Sequence, residues 1–223
     1  MAVTLVDSGI SFHDTNNVSS ITGSVTLTAG ADFLAITAHN DGSGTVSSVT
    51  YNGVALTKKV SAASNFFGNI KNSEGWYLAN PATGAAHNLV VTWTAARQDM
   101  GFTVQSFSGY GSLGAAYSNT SPVNGTSADP TVTVSDWASG DFAFGALLIG
   151  GGAPTAGDTS LVSYSSIANN DNYVNSEYQT ADGNLNWTHA ADAWASIGFA
   201  IKPAAASSVM PILMHQNRMR RAA

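Results

Sequence analysis

The stretch that decides the fold is residues 72–107, NSEGWYLANPATGAAHNLVVTWTAARQDMGFTVQSF, because a shortened version returns at 175–202, NSEYQTADGNLNWTHAADAWASIGFAIK. Each copy opens on Asn-Ser-Glu and continues into aromatics, Trp76 and Tyr77 in one and Tyr178 in the other. A turn with Gly84 or Gly183 follows, then a strand-like run ending on Trp93 or Trp187. Each copy closes on an apolar alternating segment, 101–107 or 195–201. Period-two alternation bounded by Gly, Asn and Pro is the pattern of paired strands. Two such units in similar order imply an antiparallel β-protein whose halves repeat.

Outward from these units the same signals recur. Residues 2–7 alternate, and 13–20 read as a loop. Residues 24–28 and 32–39 are β-type runs separated by a turn at 29–31, and 40–44 (NDGSG) is a strong turn. Asn52-Gly53 between 46–51 and 54–60 is the preferred type I′ hairpin connection. Residues 61–71 read as a polar loop carrying Phe66 and Phe67, and 108–130 as a long Gly-, Ser- and Asn-rich connection carrying Tyr110 and Tyr117. The opening Asp-Phe at 141–142 repeats that at 32–33, placing 141–149 and 32–38 at matching points of the halves. The run 194–201 is apolar on both faces, as a strand in the middle of a sandwich must be. No stretch of 1–203 sustains a 3.6-residue period, so helix content should be low. The expectation is an all-β chain, a single jelly-roll-like antiparallel β-sandwich with pseudo-repeated halves over 1–203 and an extended C-terminal arm at 204–223.

Composition bounds the chemistry. A chain of 223 residues buries roughly 70% of its unfolded surface without needing disulfides. The absence of cysteine removes thiolate metal sites and cysteine nucleophiles. With 44% apolar and 10% charged residues, the surface should be neutral and polar rather than disordered. No run is long and apolar enough for a membrane span, and residues 1–12 show no secretory pattern, which implies synthesis and folding in a cytoplasm. Residues 1–202 hold five basic residues against all fourteen acids, a net of −9, which repels nucleic acid. Residues 203–223 carry Arg218, Arg220 and Arg221 with no acid. Ahead of them stands an apolar patch, Met210, Pro211, Ile212, Leu213 and Met214. An apolar patch beside a basic end is suited to gripping a neighbour.

Catalytic and ligand signals are weak beside structural ones. Glu74 and Glu177 form a pair that a glycosidase could use at separations of roughly 5–9.5 Å, but equivalent positions in a repeat are more economically read as structural. The five histidines lack metal-ligand spacing, and no nucleophile elbow or phosphate loop is present. Residues 39–44 and 169–172 offer the hard oxygens that calcium prefers, without an EF-hand pattern; no metal or cofactor is assigned. Exposed loop aromatics Phe66, Phe67, Tyr110 and Tyr117 are the candidates for partner contact, and for an alternative carbohydrate-binding or tail-appendage role.

Several motifs together resemble a known family. They are 49–57 (VTYNGVALT), 74–84 (EGWYLANPATG), 88–93 (NLVVTW), 104–109 (VQSFSG), 140–145 (GDFAFG) and 196–203 (SIGFAIKP). This series resembles a β-sandwich family of tailed-bacteriophage structural proteins and phage-derived bacterial genes, over about residues 30–203. The resemblance implies a jelly-roll sandwich that decorates a capsid or builds a tail appendage, commonly as a trimer, with no catalytic residues. On it rests the expectation of a non-enzymatic virion protein, a capsid decoration or cement protein on the capsid surface. Its partners would be the major capsid protein or other virion subunits, with no nucleic acid and no membrane. The arm residues Met210, Pro211, Ile212, Leu213, Met214, Arg218, Arg220 and Arg221 would make the contact.

Overall fold

The structure, a computed structural model, describes residues 2–14, 16–66, 69–97, 99–120, 129–165 and 172–205; for Phe66, Asn69 and 162–165 it describes the backbone alone. Phe67 and the whole of the predicted contact set from Met210 to Arg221 lie outside the described residues.

The first half contains β1 (Thr4–Asp14), β2 (Val18–Thr26), β3 (Phe33–Asp41), β4 (Val46–Tyr51), β5 (Val54–Ala55), β6 (Thr57–Phe66), β7 (Asn69–Ala79), β8 (Ala86–Arg97) and β9 (Met100–Ser108). The second contains β10 (Tyr110–Thr120), β11 (Thr131–Thr133), β12 (Phe142–Gly150), β13 (Thr155–Ala156), β14 (Thr159–Ser165), β15 (Asn172–Gln179), β16 (Asn184–Thr188) and β17 (Trp194–Pro203). All recorded pairings are antiparallel. Each half forms a larger inner sheet, ordered β1-β9-β3-β7-β6 or β10-β17-β12-β15-β14, and a smaller outer one, β2-β8-β4-β5 or β11-β16-β13. The two orders superpose strand for strand, β5 aside. Successive strands cross between the sheets, an arrangement compatible with jelly-roll wrapping.

The antiparallel sandwich with repeating halves is therefore present, and its layers number four. Alternation along single strands shows why. In β3, Leu34, Ile36 and Ala38 pack on the first outer sheet with Val49, Leu89, Val91 and Trp93. From the same strand, Phe33 and Ala35 point the other way, into a core shared with Phe142, Phe144, Ile197 and Phe199 of the second inner sheet. In β12 and β17, Ala143, Leu147, Ile149 and Ala200 face the second outer sheet, packing on Val132, Leu185 and Trp187. Strands β3, β9, β12 and β17 are thus covered on both faces, which explains why 194–201 reads as apolar throughout. Their side chains stand on opposite faces in turn because the strand period is two.

Local chemistry sets the connections. Asn52 and Gly53 both take positive φ, 50° and 74°, as a type I′ turn requires. The two Asp-Phe openings clamp the end of each half. Asp32 accepts the Gly109 and Tyr110 backbone N–H groups at 2.9 and 3.1 Å. Asp141 accepts Lys202 Nζ at 2.9 Å and the Ala138 N–H at 3.0 Å.

Three sequence expectations are corrected. Residues 13–20 are mostly strand, the ends of β1 and β2. Residues 61–66 and 69–71 belong to β6 and β7 rather than a loop: Val60 and Ala62 of β6 fill the shared core, and the intervening residues face out. The connection 108–130 begins with an 11-residue strand, β10, at the edge of the second inner sheet.

Candidate functional site

Two inner sheets meeting face to face bury whatever their facing residues carry. Toward one end of this interface those residues are apolar. Toward the other they are polar: Thr37 and His39 from β3, Thr103 and Gln105 from β9, Ser64 from β6, Lys71 and Ser73 from β7, Asn172 and Ser176 from β15, all buried. Buried polar groups must find partners or carry a desolvation cost, and most of these do. The Thr37 and Thr103 hydroxyls pair at 2.6 Å, His39 Nε2 lies 2.9 Å from Thr37 Oγ1, and the Thr103 hydroxyl donates to Gln105 Oε1 at 3.3 Å. Gln105 Nε2 then crosses the interface to donate to Ser176 Oγ at 3.1 Å. Burial pushes the His39 imidazole down to about 3, so it is neutral.

The seam ends in a three-residue node. Lys71 is only 1% exposed, and its Nζ donates to Asp41 Oδ2 at 3.1 Å and to Asn172 Oδ1. Asn172 Nδ2 in turn donates to the same Asp41 oxygen at 3.0 Å. Lys71 and Asp41 face one another directly across β3 and β7, whereas Asn172 comes from the other half. The Asp41 side chain is 29% exposed and lines a surface cleft of about 430 Å³ with Asn17, Arg97 and Asp99.

This node joins the two segments that suggested calcium. Asp41 belongs to 39–44 and Asn172 to 169–172, but the cation they share is the Lys71 ammonium. Two carbonyls of the 40–44 turn are taken as well: Gly42 O accepts from Asn40 and Asn72, and Gly44 O from Asn72 at 3.3 Å. Residues 169–171 lie outside the described residues. Among the described residues no group of three His, Asp or Glu side chains is arranged to hold a metal ion.

The two glutamates do not converge. Glu74 sits on the face of β7 toward the first outer sheet, where its carboxylate accepts the Val46 N–H at 2.9 Å, Trp76 Nε1 at 3.2 Å and Lys58 Nζ at 2.9 Å. Glu177 sits on the face of β15 toward the second outer sheet and accepts the Asp158 N–H at 3.3 Å. Burial, then the Asp158 charge, pushes Glu177 up to about 8. Both inner sheets, whose spacing alone is about 10 Å, lie between the two carboxyls. Neither retaining nor inverting glycosidase geometry fits this separation, which leaves the structural reading of the two glutamates.

Two of the four aromatic candidates, Tyr110 and Tyr117, are also engaged. Tyr110 is half-buried on β10 and stacks on Phe33 with ring centroids 4.5 Å apart. Tyr117, also half-buried, accepts a hydrogen bond from the Ser135 hydroxyl at 3.0 Å. Phe66 ends β6. Among the described residues the one exposed large hydrophobic is Val54.

No sequence motif marks the polar seam, although it leaves a trace. Thr37 and His39, and Thr103 and Gln105, occur at i and i+2 in otherwise apolar strands, which places each pair on one face. Lys71 left none, because its partners lie 30 and 101 residues away in the chain. No protein family, curated protein or solved structure is similar enough to this chain to count as a match.

Proposed function

We propose that the chain is a non-enzymatic structural protein of a tailed-phage particle, a decoration or cement protein that binds the assembled shell through residues 204–223. What supports this reading most is the inward use of the body's chemistry. Both glutamates, the Lys71 node and the aromatic cores serve to hold four layers together. The body is left sparsely charged, with an acidic balance, and the unrepeated part of the chain is the apolar and basic tail. A protein that binds an assembled shell better than its free subunits stabilises the shell by mass action. Rim arginines add steering and specificity on an acidic lattice more than they add affinity. The shell subunits are its partners, and it binds as a homo-oligomer, with a trimer favoured by the family resemblance. The carbohydrate-binding alternative has less support, because Tyr110 and Tyr117 are already occupied by intramolecular contacts.

Immunogold labelling of purified particles, with antibody raised against the folded chain, tests the proposal. Regular labelling of the shell is the expected result. Label confined to unassembled protein in the lysate overturns it.

A further inference from the structure

The contacts at the Lys71 node amount to more than an ion pair. A primary amine and a carboxamide touch inside the interface, both almost fully buried, at 1% and 2% exposure. One carboxylate oxygen contacts the amine at 3.1 Å and the amide nitrogen at 3.0 Å. The amide is turned so that Oδ1 meets Nζ and Nδ2 meets Asp41. Its Cγ lies one C=O bond, about 1.23 Å, beyond the contacted oxygen. The nucleophile and the electrophilic carbon are therefore held together away from bulk water, and Asp41, at the edge of the cleft, is placed to carry protons to the leaving nitrogen. Such positioning replaces a bimolecular encounter with an intramolecular one and raises the rate accordingly.

We propose that Lys71 and Asn172 become joined by an isopeptide bond from Nζ to Cγ, with Asp41 as the proton carrier, covalently linking the two halves of the fold. Asp41 takes a proton from the Lys71 ammonium, and the freed amine attacks Cγ to give a tetrahedral intermediate. The bond from Cγ to Nδ2 then breaks. The two protons that Nζ gives up end on the departing nitrogen, which leaves as ammonium, and Asp41 is regenerated. One C–N bond forms, one breaks, and no oxidant or cofactor is needed. The cleft lined by Asp41 provides an exit for the ammonium. The link spans 101 residues of sequence and joins β7 to β15. It does not depend on the particle-binding proposal.

Intact mass spectrometry of the purified, denatured full chain tests this. The expected mass is lower than the sequence mass by one ammonia, about 17 Da, after allowance for removal of Met1. Tryptic digestion should give a branched peptide joining the fragment that begins at Val60 to the one containing Asn172. The branched peptide distinguishes the link from cyclisation of an asparagine, which loses the same mass. Lys71→Arg and Asp41→Ala should both restore the full mass. A wild-type chain at full sequence mass, or one lacking the branched peptide, overturns the proposal, and this holds whether or not the variants fold. A mass loss that persists in folded Asp41→Ala overturns the role given to Asp41.

Discussion

Glu74 and Glu177 occupy the same place in the two halves, the third residue of each Asn-Ser-Glu, yet Glu74 meets the Lys58 ammonium at 2.9 Å while Glu177 lies against Asp158. One repeat position thus carries a carboxylate with a cation and another held protonated by burial and a neighbouring negative charge.

The consequence for Glu177 is pH dependence. Its folded value, about 8, lies above its ordinary 4.5. Its contribution to stability is complete below pH 4.5 and is lost as pH rises through 8. Glu177→Gln should remove this loss. Urea midpoints of variant and wild type should diverge above pH 4.5, with the variant more stable at alkaline pH by about 2–4 kcal/mol. Glu74→Gln should instead destabilise by about 1 kcal/mol at neutral pH, because Lys58 is 40% exposed and its pair is partly screened.

His39 acts in the opposite direction. Its folded value, about 3, lies below the ordinary 6.5, so the unfolded chain binds the extra proton. Stability present above pH 6.5 is lost as pH falls toward 3, at about 1.4 kcal/mol per pH unit. Between pH 4.5 and 6.5 the His39 and Glu177 slopes cancel. Melting temperature should therefore be level in that window and fall on both sides. His39→Gln should flatten the curve below pH 4.5 and leave the Glu177 slope uncancelled, so that melting temperature falls from pH 4.5 onward.

Close packing between the halves and between neighbouring strands makes two glycines sensitive. A Cβ at Gly75 would stand 2.8 Å from Val60 Cγ1 and 3.3 Å from Ile197 Cδ1, in the core shared by the halves. At Gly145 it would stand 2.5 Å from the Ile197 carbonyl oxygen, which is backbone and cannot turn aside. Gly75→Ala should cost about 1–2 kcal/mol and Gly145→Ala about 3 kcal/mol or more. Denaturant midpoints at fixed slope measure both.

Much of the fold was legible in the sequence because its signals are local. Asn52-Gly53 names its own turn, the two Asn-Ser-Glu openings reveal the repeat, and the doubly apolar run from Trp194 requires cover on both faces. The four layers were not legible, since Phe33 and Leu34 look alike in sequence although they enter different cores. Strand β6 was hidden because the residues it turns to the second half, Val60, Ala62 and Ser64, are small. Strand β10 was hidden by Gly111 and Gly114 and by the register shifts beside them. The Asp41–Lys71–Asn172 node was half visible: its oxygens stood out as possible cation ligands, while the lysine that serves as the cation did not.

The same division bears on function. Glu74 and Glu177, which repeat, have structural partners, and the proposed partner contact therefore falls on the unrepeated tail. The direct measurement is copy number per particle for the full chain and for a chain ending at Ala205, added at equal concentration to particles stripped of the protein. Near-empty shells with the shortened chain, its melting temperature unchanged, are the predicted result. Full occupancy by the shortened chain would contradict the account.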